Sequence, residues 1–157
     1  MILITISHWL YHPTPANNNA FPVEVAETTT TTTKKQAADP PLTSLFPTAN
    51  LKRGAKIFKK CAACHSVEKG GASKVGPALW GIINATKGHV SGFSYSKALL
   101  KMGGGWSFDE LNAFLKKPRS YIKGTKMNFI GLKKPQDRAD ILLYLRSLDD
   151  TPAKLPQ

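Results

Sequence analysis

Cys61-Ala-Ala-Cys64-His65 is the part of this sequence best equipped for chemistry. Two thiols three positions apart can each add to a vinyl group of one haem, and the histidine that follows then faces the iron. A thioredoxin-like dithiol shares this spacing but needs a βαβ setting, and no stretch of the chain alternates like a strand. A structural zinc site needs four ligands, and no second cysteine pair or finger-spaced histidine pair exists. An unreactive disulfide or a chance pentapeptide is the remaining alternative.

A haem that only moves electrons needs a second axial ligand, because a saturated iron binds no small molecule and changes little in geometry on gaining an electron. Met127, in Gly124-Thr125-Lys126-Met127, lies 62 residues beyond His65 on a helix-poor stretch. His/Met ligation raises the reduction potential. Spacing alone does not separate that role from the gap-filling one methionines usually take in a core.

Four helical patterns are available to position these groups. Residues 50–60 carry Leu51, Ile57 and Phe58 among lysines, and residues 94–102 stop at three consecutive glycines. Ser107 and Glu110 have capping-box spacing before Leu111, Phe114 and Leu115, and Pro118 ends that helix. Pro135 fits the first position of a helix whose apolar face is Ile141, Tyr144, Leu145 and Leu148. With glycine-rich loops between them, these patterns predict a small all-α domain over residues 49–149, followed by a flexible tail at 150–157.

Charge divides the chain in the same place. Of 157 residues, 22 are basic and 10 acidic. Residues 1–48 hold Lys34 and Lys35 against Glu24, Glu27 and Asp39, so the whole excess lies beyond residue 48. Residues 13–48, with six prolines, three asparagines in a row and six consecutive threonines, read as a disordered linker. Residues 1–12 are apolar but short of the roughly 20 residues a spanning helix needs, and they lack the basic start and cleavage site of a signal peptide. Trp9 and Tyr11 before Pro13 suit the interfacial end of a membrane span, so this segment is expected to be the outer end of an N-terminal anchor.

Residues from about 50 to 148 resemble the class I c-type cytochromes of the mitochondrial kind. The likeness runs through Cys61-x-x-Cys64-His65, Glu68-Lys69-Gly70-Gly71, Val75-Gly76-Pro77, Gly92-Phe93-Ser94-Tyr95, Trp106, Pro118 with Tyr121, Gly124-Thr125-Lys126-Met127, and Arg138-Ala139-Asp140 through Tyr144-Leu145. With the linker and apolar start, the chain looks most like the membrane-anchored cytochromes c of proteobacteria.

The resemblance implies the small cytochrome c fold, about four helices around one haem c attached through Cys61 and Cys64. It makes His65 and Met127 the iron ligands and Pro77 the acceptor for the other ring nitrogen of His65. Tyr95 and Trp106 would hydrogen-bond one haem propionate, with Thr125 near the other. Gly54 and Phe58 would form the crossing of the first and last helices, with Tyr144 opposite. Three departures remove polar groups from around the haem. Asn84-Ala85 stands where the family often has Gly-Arg, Phe114 where a tyrosine is common, and Leu99 where an asparagine is buried.

By the same resemblance Lys59, Lys60, Lys116, Lys117, Arg119, Lys126, Lys133 and Lys134 surround the exposed haem edge and meet acidic faces of redox protein complexes. Nucleic acid is a poor partner, because no base-stacking aromatics are interleaved with these lysines. The expected function is a monomeric single-haem carrier at the periplasmic side of the bacterial inner membrane. It would pass electrons from a quinol:cytochrome c oxidoreductase to a terminal cytochrome oxidase. The alternatives are a haem peroxidase or ligand sensor with a displaceable Met127, and a soluble periplasmic shuttle.

Overall fold

A computed structural model describes residues 39–157; the expectations for residues 1–12 and 13–38 lie outside them. The described residues form six α-helices and no strand, with one isolated bridge between Thr86 and Gly105. The helices are α1 (Leu42–Leu45), α2 (Leu51–Phe58), α3 (Lys97–Met102), α4 (Phe108–Lys116), α5 (Pro118–Tyr121) and α6 (Pro135–Arg146), and a 3-10 turn, Phe46–Thr48, follows α1.

Local chemistry starts three of these helices. The Asn50 side chain accepts the Arg53 N–H at 3.0 Å, Ser96 accepts Leu99 N–H at 3.2 Å and Ser107 accepts Glu110 N–H at 3.2 Å. Gly103, at φ 61°, closes α3 in a conformation that a side chain would strain. Pro118 ends α4 and also opens α5 as its first residue, where its missing N–H costs nothing.

Helices α2 and α6 cross at Gly54. A Cβ there would meet the backbone oxygen of Asp140 and stand 2.7 Å from Tyr144 Cβ, so the two backbones touch at this point. Phe58 and Tyr144 pack one turn further on, ring centroids 5.6 Å apart. Arg53 grips the Asp140 carboxylate with two nitrogens, at 2.6 and 3.0 Å, and the Asn50 N–H adds a bond at 2.8 Å. Burial opposes ionisation of Asp140, but these donors outweigh it and hold the carboxyl below its ordinary range. The core around the crossing is Phe58, Leu111, Leu115, Ile141, Leu142 and Leu145.

Two expected boundaries move. The linker was expected to run to residue 48, yet Leu42 and Phe46 are buried and Phe46 packs edge-on to Phe108 at 5.3 Å. Asp39 closes this strap: its carboxylate takes the fully buried Arg138 guanidinium at 2.6 Å and Lys116 at 2.8 Å. Proline-rich composition hid a pair of apolar residues four apart, whose stabilisation comes from tertiary burial. The tail also folds back, with Ala153 and Leu155 against the core and Arg146 Nε donating to the Ala153 carbonyl at 2.5 Å.

Candidate functional site

Helix α2 does not stop sharply at Phe58. Ala62 N–H bonds Phe58 O at 3.0 Å, and Cys64 and His65 N–H both bond Cys61 O, at 2.9 and 3.0 Å. This tightened turn brings both thiols and the imidazole onto one cavity. Neither cysteine is in a disulfide, so both thiols are free to form thioethers, and burial pushes the Cys61 thiol up.

The cavity is about 480 Å³. Close-packed interiors hold few voids larger than a water, so this one is a ligand site. All eight residues anticipated from the sequence line it: Cys61, Cys64, His65, Pro77, Tyr95, Trp106, Thr125 and Met127. The rest of the wall is largely apolar, including Leu79, Ile82, Leu99, Leu111, Phe114, Ile141 and Leu145.

His65 is held for ligation. Its Nδ1 donates to the Pro77 carbonyl at 2.7 Å, which fixes the tautomer and leaves the Nε2 lone pair free. Desolvation lowers the imidazole pKa and outweighs the Pro77 bond, so the ring is neutral, as a metal ligand must be. Gly76 lets the backbone pass over this ring; a Cβ there would stand 2.7 Å from His65 Nδ1.

Three donors are left for a bound anion. Tyr95 Oη accepts the Val90 N–H at 3.2 Å and Thr125 Oγ1 accepts the Met127 N–H at 3.2 Å, so each hydroxyl keeps its own proton to give. The Trp106 indole N–H has no acceptor among the described residues. An apolar slot with two thiols, a neutral imidazole, a thioether and three spare donors fits a haem with its iron and two carboxylates.

Of the three departures from the family pattern, two line the cavity and Asn84-Ala85 does not. Leu99 and Phe114 are both buried and both on the cavity wall, and Asn84 sits at φ 64°, a left-handed position asparagine tolerates better than other side chains.

A polar group missed from the sequence stands behind that wall. Lys87 is buried, its ammonium 2.9 Å from Glu110 Oε2, 3.1 Å from the Gly105 carbonyl and 5.0 Å from the centre of the Trp106 ring. Glu110 is therefore not the reciprocal half of a capping box: its carboxylate turns to Lys87, which with Tyr121 holds it below its ordinary range. Tyr121, desolvated and facing that carboxylate, is pushed up to about 12. Lys87 looks in sequence like any other loop lysine, and only its distant partners distinguish it.

All eight anticipated docking cations are exposed. Lys60 and Lys126 border the cavity itself. Lys116 is held by Asp39 and Lys126 by Ser94, through its carbonyl at 2.7 Å and hydroxyl at 2.9 Å. Lys59, Lys60, Lys117, Arg119, Lys133 and Lys134 have no such partner among the described residues.

Residues 51–149 match the cytochrome c family pattern. A cytochrome c homolog of Rickettsia felis is 41% identical over 150 residues, covering 94% of this chain and 86% of that one. A cytochrome c homolog of Bradyrhizobium diazoefficiens is 45% identical over 121 residues, which span 76% of this chain and 66% of the relative. Cytochrome c of Gossypium barbadense is 50% identical over 101 residues, 64% of this chain and 91% of that protein.

Proposed function

The chain belongs to the cytochrome c family of haem electron carriers, and from that premise we propose that it takes electrons from a quinol:cytochrome c oxidoreductase and delivers them to a terminal cytochrome oxidase. It holds one haem c, joined covalently through Cys61 and Cys64. The bound haem supplies a one-electron Fe(III)/Fe(II) couple.

The chain's residues bind and tune that couple. His65 and Met127 would hold the iron, with Pro77 orienting the imidazole. Tyr95, Trp106 and Thr125 would donate to the haem's carboxylates. The apolar wall excludes water, so that little solvent reorganises when the charge changes. No side chain acts as acid, base or nucleophile; the protein supplies binding, orientation and electrostatics. The observation that carries the reading is convergence: eight residues drawn from positions 61 to 127, of thiol, imidazole, thioether, carbonyl and donor types, share one cavity.

Docking uses the exposed basic residues, which draw the cavity mouth at Lys60 and Lys126 towards an acidic face. The domain works as a monomer at the periplasmic side of the inner membrane, with residues 1–12 as its membrane contact and 13–38 as the tether, which keeps it concentrated near both partners. Among the described residues no helix is long and apolar enough to cross a membrane. The test is oxidation of the reduced holoprotein by a terminal cytochrome oxidase as ionic strength rises from about 0.01 to about 0.2 M. The rate falls if these charges guide docking; a rate indifferent to salt overturns it.

A further inference from the structure

The Lys87 side chain is 3% exposed, a costly place for an ammonium. A methionine of similar length would fill the space without that cost. What the charge gains is a specific geometry around Trp106. The segment 84–87 is laced to 104–106 by three backbone bonds: Asn84 N–H to Trp106 O at 2.9 Å, Trp106 N–H to Ala85 O at 2.8 Å, and Lys87 N–H to Gly104 O at 2.8 Å. The ammonium then returns across this lacing to the Gly105 carbonyl and lies over the indole. The same ring leans on Phe114, centroids 5.0 Å apart and planes at 46°.

Trp106 belongs to the cavity wall, whereas Lys87 and Glu110 do not, so the indole is the partition between the ion pair and the haem site. Its ring is fixed by a cation and an aromatic neighbour, while its N–H is left without a protein acceptor among the described residues.

We propose that Lys87 is a positioning residue of the haem cavity: anchored by Glu110, its ammonium holds the Trp106 indole so that the ring N–H stays available to a haem carboxylate. This rests on the reading of the cavity as a haem site. Cation–π attraction and the Gly105 bond fix the indole from one side, and Glu110 keeps the ammonium from reaching solvent. The same charge, set behind the wall, favours the reduced over the oxidised iron.

The test uses uniformly nitrogen-15-labelled ferrous holoprotein, Trp106→Phe assigning the indole signal. Hydrogen exchange of the Trp106 indole N–H is compared with that of the Leu142 core amide. Exchange of the indole is expected to be about tenfold faster relative to Leu142 in Lys87→Met and in Glu110→Gln, and near wild type in Lys87→Arg. The reduction potential should fall in Lys87→Met and return in Lys87→Arg. An indole that merely follows Leu142 in both variants, with an unchanged potential, overturns the proposal and leaves Lys87 a packing residue. Should Lys87→Met fail to fold, Glu110→Gln and Lys87→Arg give the same comparison. A wild-type indole that exchanges freely overturns it as well, while reversible redox cycling of that sample leaves the haem reading standing. A chain that takes up no haem overturns both.

Discussion

Gly54→Ala puts two familiar effects in opposition. At an exposed interior helix position this change stabilises by about 1 kcal/mol, through lower backbone entropy in the unfolded chain. Here the new Cβ would collide with the Asp140 backbone oxygen and stand 2.7 Å from Tyr144 Cβ. Neither obstacle can be trimmed, because one is main chain and the other is a carbon every residue but glycine carries. The helices must therefore separate, and overpacking of this kind costs about 1–3 kcal/mol even before Ile141 and Leu145 pack more loosely. With the looser packing added, the clash wins, with a net loss of about 1–2 kcal/mol and a melting temperature lower by about 5–10 °C. Denaturant unfolding of the holoprotein, followed by helix ellipticity, measures it. Because α2 leads into Cys61 and α6 supplies Ile141 and Leu145 to the cavity, the haem spectrum should change as well. A variant as stable as wild type, or more so, refutes the close crossing.

Phe46→Ala should cost about 3 kcal/mol, and Asp39→Asn, which strips the buried Arg138 of its bonded carboxylate, about 3 kcal/mol, both by denaturant titration; a linker residue would cost nothing. Asp140→Asn should lose about 2 kcal/mol at pH 7. Because the Asp140 pKa is depressed in the fold, that contribution is present above the unfolded value of about 4 and lost as pH falls through the lower folded value, so the two proteins should converge in acid. A difference between the two that does not narrow as the solution is acidified contradicts the assignment. One phenol should resist ionisation until about pH 12 in an ultraviolet titration, and Glu110→Gln should lower that value by removing the facing carboxylate. An unchanged titration disconnects Tyr121 from Glu110.

Local chemistry made part of the fold legible in the sequence. Ser107, Pro118 and Pro135 mark their helix boundaries through groups only a few residues apart, and Gly103 ends α3 by its own backbone freedom. The strap at Leu42–Thr48 was not legible, because it is held by Phe108 and Arg138, far along the chain, and its prolines suggest the opposite. Pro118 reads in sequence as a stop alone, although the same fixed φ begins α5.

The site divides in the same way. Cys61, Cys64 and His65 declare themselves by spacing, whereas Met127 is an ordinary methionine until the fold brings it to their cavity. Glu110 carries a capping signature, but a buried ammonium 23 positions away competes for its carboxylate and wins. Lys87 gives no local signal, because the partners of its ammonium, Gly105, Trp106 and Glu110, are distant in sequence.

The central claim is a haem fixed to Cys61 and Cys64 with His65 and Met127 closing the iron. An optical redox titration of the purified holoprotein, beside Met127→Leu, tests it most directly. One reversible one-electron step is expected and, in the oxidised protein, the weak band near the red end that marks sulfur from methionine on Fe(III). Met127→Leu should lose that band and bind cyanide readily while keeping its covalent haem. A wild-type protein without the band, already open to cyanide, would contradict the claim and point to an iron left free for ligands.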